Sequence, residues 1–236
     1  MTTDAAGARN GFGGWKTALA AGLIGALVGG GAVAYGSRQS VRDYLLENPE
    51  ILPEAMERLR EREAAKMISA NRAGLERPFA GAWAGAQDGD VVLVEFFDYA
   101  CGYCRKSNAD VDRLLREDPR LKVVWREWPV LGPDSEAAAR VSLAAAQAGR
   151  FKPFHDSLFA AGRPTPEALA KARAGAGLAA ELPTAIADPE LARNFELARG
   201  LEATGTPTFV VGDQILQGAV GYEALRDAIK EARAKS

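Results

Sequence analysis

The sequence predicts an α/β domain built on a strand, helix, strand unit and preceded by an N-terminal membrane segment and a helical neck. Three observations predict the domain. The run VVLVEFF over Val91–Phe97 is short, β-branched and aromatic, and an amphipathic run from Cys101 to Asp118 follows it, with Val111, Leu114 and Leu115 on a helical period. A second strand pattern, LKVVWREW, begins at Leu121. Near the C-terminus, strands are predicted over Thr208–Val211 and Gln214–Gln217 around a two-residue Gly212-Asp213 turn, with a closing amphipathic helix from Tyr222.

Composition narrows the function classes. Hydrophobic residues make up 47% of the 236, enough for a sizeable core. The 29 Lys and Arg nearly cancel the 31 Asp and Glu, giving a formal net charge of -2, so nucleic acid is not an expected partner. Two cysteines are too few for a disulfide-stapled scaffold, so a bond between them serves chemistry rather than stability.

The first segment, residues 1–37, holds the run WKTALAAGLIGALVGGGAVAYG, which has no charge after Lys16. Arg9 and Lys16 precede the apolar stretch, and Trp15 and Tyr35 sit at its edges, the pattern of a segment with a positive cytoplasmic end. Its length fits a minimal spanning helix, while AVA at Ala32–Ala34 resembles a cleavage site. A signal anchor in the inner membrane and a signal peptide are the two readings, the anchor favoured. Either predicts that the remainder is exported.

Residues 38–77 form the predicted neck. Helix-start signals stand at Ser40 and at Asn48-Pro49, where Asn caps and Pro occupies the first turn. In the second helix Leu52, Met56, Leu59 and Glu63 share one side, and Glu54 and Arg58 make a pair of opposite charge four residues apart. So narrow an apolar stripe on so charged a rod is poorly stable alone. It packs on the following domain, meets copies of itself in a homo-oligomer, or acts as a spacer.

In residues 78–236 a Gly- and Ala-rich loop over 80–90 leads into the first strand. The two strands joined by a helix are predicted parallel, with chemistry where the first hands over to the helix. Cys101 and Cys104 lie at that handover. The Ala-rich region over about 134–200, broken at Gly162–Pro166, Gly175–Gly177 and Asp188-Pro189, reads as an insertion of several short helices.

Two cysteines three positions apart at a helix start can close a disulfide. Cys101, in the first turn, faces unpaired backbone N–H groups that favour a thiolate, whereas Cys104, one turn in, is shielded. Cys101 is therefore the attacking thiol and Cys104 the resolving one, through a mixed disulfide at Cys101. The pair would also supply half of a zinc site, but the chain has no third cysteine and one histidine, His155, so no metal is expected there beyond two-coordinate Cu(I) on the reduced pair. Two inert thiols is the remaining alternative. No cofactor is required.

The segment VEFFDYACGYC, followed much later by TGTPTFVVG, resembles the DsbA-like thiol-disulfide oxidoreductases of the thioredoxin superfamily. The resemblance spans residues 78–236 and is nearest to proteobacterial members with an N-terminal helical extension, including the copper-sensitivity-suppressor type. It implies a thioredoxin fold with a helical insertion. It also implies Cys101 as nucleophile, Cys104 as its resolving partner, and a cis Thr206-Pro207 peptide bond facing them, with Gly102 and Tyr103 beside the substrate. The expected activity is formation or reshuffling of disulfides in unfolded or misfolded exported proteins of the periplasm, served by a membrane redox partner. Copper protection by the reduced pair, or a client-binding chaperone, are the alternative functions.

Glu95 breaks an otherwise apolar strand, and burying it charged and unpaired would cost several kcal/mol, roughly. It resembles the family's buried acid, placed beneath the second cysteine to exchange its proton. The alternative puts Val91, Leu93 and Glu95 on a partly solvated face, with Glu95 in a salt bridge. Gly102-Tyr103 stands where the best-known members carry Pro-His, and tyrosine cannot supply an imidazolium charge, so Cys101 is expected to be less acidic than in strong oxidases. Arg105 and Lys106 read as a solvated first-turn face, His155 as a packing residue, Asp98 and Tyr99 as shaping the approach, and Trp125 and Trp128 as core and edge residues.

Overall fold

The computed structural model describes residues 40–179 and 182–235. The apolar run of the first segment, and with it the choice between anchor and signal peptide, lies outside the described residues. Among the described residues no helix is long and apolar enough to cross a membrane. The chain divides into two compact units, residues 1–58 and 59–236.

In the first unit, helix α1 over residues 40–47 is closed by Asn48, whose backbone N–H and side-chain amide both donate to the Tyr44 carbonyl, at 2.9 and 2.8 Å. Helix α2 (Ile51–Glu76) starts two residues after Pro49. Its Glu54–Arg58 pair forms at 3.3 Å, as the spacing predicts. Val41, Tyr44, Leu46, Leu52 and Met56 are exposed.

The second unit opens with the remainder of α2 and continues through β1 (Trp83–Gly85), β2 (Val91–Phe97), α3 (Gly102–Glu117) and β3 (Leu121–Glu127). Helices α4 (Pro133–Gln147), α5 (Phe151–Ala161), α6 (Pro166–Gly175) and α7 (Ala187–Gly200) follow, then β4 (Thr208–Val211), β5 (Gln214–Gln217) and α8 (Tyr222–Lys235). The strands form one mixed sheet in the order β1-β3-β2-β4-β5, with β2 and β3 parallel and every other pair antiparallel.

Because side chains alternate along a strand, the two faces of the sheet take different partners. Leu93 and Phe97 of β2 and Val123 and Trp125 of β3 share the larger core with Cys104 and Val111 of α3, Phe151, Phe154 and Leu158 of α5, and Leu225 and Ile229 of α8. Val94, Phe96 and Val124 point the other way, onto Ile68 and Leu75 of α2 and Leu197 and Ala198 of α7. The later part of α2 thus packs on the domain, each of its two buried side chains worth about 1.5–3 kcal/mol.

That docking is fastened by Arg126 of β3. Its buried guanidinium donates to the carbonyls of Gly74, Leu75 and Arg77, where α2 ends, and to Glu190 of α7 at 2.6 Å and Asn194 at 3.3 Å. The last carbonyls of a helix lack intrahelical donors, and one cation supplies them here. Burial lowers the Arg126 pKa, against the pull of Glu190, to about 10, leaving it charged at neutral pH.

The predicted loop over residues 80–90 contains a strand. β1 pairs antiparallel with β3, register Ala84 to Val123, although its residues Trp, Ala and Gly carry no β-branched signal. Pairing overrides propensity there. Gly85 makes it possible, with φ of +91° and a backbone approach so close that a Cβ would meet the Leu121 carbonyl oxygen at 2.2 Å.

Candidate active site

The β2 to α3 handover sets the two cysteines in unlike surroundings. Cys101 is the N-cap of α3, in extended conformation, and its Sγ accepts the Cys104 backbone N–H at 3.4 Å. Both are free thiols; Cys101 is 6% exposed and Cys104 fully buried. A hydrogen bond from the Cys104 side chain, helped by the Thr206 side chain and the N–H groups of Cys104 and Tyr103, holds the Cys101 pKa down to about 5 against burial. The Thr206 carbonyl, 3.3 Å from Sγ, accepts only from the protonated thiol and so works in the opposite sense. Burial pushes the Cys104 thiol far up, assisted by its bond to Cys101 and by the charge of Glu95. One helix turn thus holds an acidic thiol and a neutral one. A pKa near 5 lies between about 7, typical of thioredoxin, and about 3.5, typical of a strong oxidase.

Glu95 is buried, on the same face of β2 as Leu93 and Phe97, so the partly solvated face with a salt bridge does not occur. Its partner is neutral: the Trp125 indole N–H donates to Oε2 at 3.0 Å. Burial, partly opposed by that bond and reinforced by Asp112 and Cys101, raises its pKa to about 8. Near neutral pH such a carboxyl can both take and return a proton. The charge of Glu95 in turn helps to keep the buried Cys104 thiol protonated.

Asp98 organises the turn before Cys101. One carboxylate oxygen accepts the Ala100 N–H and the Ser135 hydroxyl, both at 2.7 Å, and the other accepts the N–H groups of Val130 and Leu131, both at 2.9 Å. One buried side chain therefore ties the cysteine turn to the loop after β3 and to the start of α4. Tyr99 is buried as well: its hydroxyl shares hydrogen bonds with Ser142 at 2.8 Å and with His155 Nδ1 at 3.3 Å. His155 Nε2 meets Asn108 of α3 at 3.1 Å, and the imidazole ring contacts Phe97, Phe151, Phe159 and Trp125. Burial, with Lys152 nearby, holds its pKa well below the usual histidine range, so it is a neutral packing and bridging residue. Trp125 is core, and Trp128, also buried, packs edge-on against Phe96.

The Thr206-Pro207 peptide bond is cis, the isomer the resemblance implies, and its Thr206 carbonyl reaches Cys101. Around the cysteines Tyr103 is 68% exposed, and Val130 and Leu131 add exposed apolar surface on the loop held by Asp98. Gly102 has open space where a Cβ would stand. Lys106 is exposed, but Arg105 departs from a solvated face: it is half-buried, and its Nε and Nη2 have no hydrogen-bond partner among the described residues.

Two members of the site escaped the sequence reading. Trp125 holds Glu95 as well as filling the core. Glu127, a second buried acid, follows it on the same face of β3, with burial first among the causes that push its pKa well above the carboxylate range. The signal was present in the alternation Val123, Trp125, Glu127, which puts all three on one face.

Comparison with known proteins agrees with this geometry. Residues 92–230 match the family described as the DSBA-like thioredoxin domain, and residues 38–66 match the N-terminal domain of the copper resistance protein ScsC. A linker-deletion mutant of ScsC from Proteus mirabilis superposes with a TM-score of 0.71 at 30% identity, over 87% of this chain and 97% of that one. A thioredoxin-like oxidoreductase from Silicibacter pomeroyi gives 0.64 at 37% identity, over 69% of this chain and 96% of that one. Among curated proteins, the Na(+)/H(+) antiporter NhaA 3 of Salinispora tropica is 30% identical over 173 residues, 64% of this chain and 24% of the antiporter. The chain spans a quarter or less of the length of the curated relatives it matches, 13–25%. With the mixed sheet, the helices between β3 and β4 and the Cys101–Cys104 turn in place, the chain belongs to the DSBA-like thioredoxin family, and its neck to the ScsC type of N-terminal extension.

Proposed function

We propose that this protein is a thiol-disulfide oxidoreductase of the cell envelope that forms or reshuffles disulfides in exported proteins. The observation that carries the reading is the asymmetry of the pair: an acidic thiol at the N-cap of α3 and a neutral, buried thiol one turn later, beside an acid poised near neutrality. Cys101 exchanges with the client and Cys104 resolves the mixed disulfide. Glu95 holds the proton that Cys104 gives up. Client chain docks against Thr206 and Pro207 and beside Gly102 and Tyr103. A membrane redox partner resets the pair.

The N-terminal apolar segment, with its preceding positive charges, supports a periplasmic location at the inner membrane, anchored or released by cleavage. The neck, residues 38–77, carries the apolar side chains Val41, Tyr44, Leu52, Met56 and Leu59 in exposed positions, which supports assembly of several copies through it. Several sites around one client favour reshuffling over simple oxidation. The test pairs two measurements on the protein lacking residues 1–37. Reactivation of scrambled ribonuclease, lost in Cys101→Ala, together with an oligomer in solution scattering, is the expected result; a monomer that cannot reactivate the substrate overturns the isomerase reading.

The similarity of the neck to a copper resistance protein favours one second reading, in which the two reduced thiols hold Cu(I) as soft ligands. Stoichiometric Cu(I) binding that blocks alkylation of Cys101 would support it. Loss of the metal to glutathione would remove it.

A further inference from the structure

Lys152 of α5, in the inserted helices, reaches across to α3. Its ammonium donates to Asp112 at 2.8 Å and to both oxygens of Asp156 at 2.6 Å. It also lies 5.8 Å from the centroid of the Trp125 ring, whose opposite function is the indole N–H that binds Glu95. Asp112 and Lys152 are each about three-tenths exposed, at 29% and 28%, so this cluster also meets water.

We propose that Asp112 and Lys152 are positioning residues for the redox reaction: as an ion pair spanning α3 and α5, they set the field in which Glu95 exchanges a proton with Cys104. The inference rests on the roles given above to Glu95 and Cys104. In the step concerned, the client is bonded to Cys101 as a mixed disulfide. The Cys104 S–H proton passes to the Glu95 carboxylate, and the Cys104 thiolate attacks Cys101 Sγ. The Cys101–Cys104 bond forms, the Cys101–client bond breaks, and the client sulfur leaves as a thiolate that takes a proton from water. The pair loses the two electrons that the client disulfide gains.

Glu95 meets few other charges. On β3 it faces the Trp125 N–H, with Glu127 one position further along that face; its β4 register partner is Phe209, and α8 packs on the strand with Leu225 and Ile229. From α3 come Cys101, Cys104 and Asp112, and from α5 the neutral His155 and the Lys152–Asp156 pair. Asp112 acts on Glu95 by disfavouring its ionised form. A paired carboxylate has the field of a dipole, which falls off faster with distance than that of a bare charge. Lys152 therefore mutes Asp112, and its loss leaves Glu95 facing an uncompensated anion.

The test follows release of nitrothiobenzoate when the reduced protein, mixed with its disulfide dimer, first captures one half at Cys101 and then expels it through Cys104. The rate of the second release is measured against pH. Asp112→Asn is expected to move the midpoint down by about half a pH unit and Lys152→Met to move it up by about as much, while Lys152→Arg keeps it in place. Shifts of the same sign in the first two, or no shift in either while Glu95→Gln abolishes the midpoint, would overturn the proposal. A wild-type protein without the second release, or a midpoint indifferent to Glu95→Gln, would instead sink the roles assigned to Cys104 and Glu95 and this proposal with them.

Discussion

At the scale of single residues, the site depends on two groups moved in opposite directions by their surroundings. Cys101 is made acidic by donors converging on its sulfur, and Glu95 is made basic by removal from water. The second has a consequence for stability. An unfolded chain releases the Glu95 proton near the ordinary carboxylate value, 4.5, while the folded one keeps it to about 8. Between those limits the folded state binds more protons, so this group makes stability fall as pH rises, losing about 1.4 kcal/mol per pH unit. Glu95→Gln keeps an acceptor for the Trp125 N–H and removes the titration. Denaturant melts of the reduced protein should show the variant more stable at pH 7 by on the order of 3 kcal/mol and equal to wild type near pH 4. Parallel pH curves for the two proteins would contradict the burial account of Glu95.

The scale of elements shows which parts of this design were legible beforehand. β2, β3 and the β4–β5 hairpin were, because β-branched runs and a Gly-Asp turn mark them within a few residues. The position of Cys101 at a helix start was legible for the same reason. β1 was not, since Trp83–Gly85 becomes a strand only through its partner on β3 and the φ of Gly85. Arg126 was equally hidden: a cation in a strand reads as an exposed residue until its acceptors, two carbonyls of α2, the Arg77 carbonyl just after it and two side chains from α7, are brought together by the fold. Removing it should be costly. Arg126→Met leaves Glu190 and the end of α2 without their donor, and breaking a buried pair costs about 3–5 kcal/mol. Hydrogen exchange should then show amides of residues 66–76 losing protection before those of β2 and β3. Uniform loss across the domain would mean that Arg126 supports the sheet and not the docking of α2 in particular.

Across the whole molecule, the inserted helices and the sheet are joined by polar groups at the place where the cysteine pair sits. Asp98 binds the loop after β3 and the start of α4, Tyr99 and His155 bind α4, α5 and α3, and Lys152 crosses from α5 to Asp112. The insertion thus fixes the surroundings of the cysteines as well as covering the core. Without a histidine between the cysteines, Cys101 is expected to be less acidic than in strong oxidases; the donors that replace it are Cys104 and the backbone N–H groups of the helix start, which the local motif displays, and Thr206, which the fold brings in from 105 residues away. The measurement that tests the account most directly is the rate of iodoacetamide alkylation of the reduced, native protein against pH, with each modified cysteine identified by mass. The account predicts that Cys101 alone reacts, with a midpoint near 5, and that Cys104 stays unmodified until the protein is unfolded. A midpoint in the ordinary thiol range of about 8.5, or equal reaction at both cysteines, would contradict it.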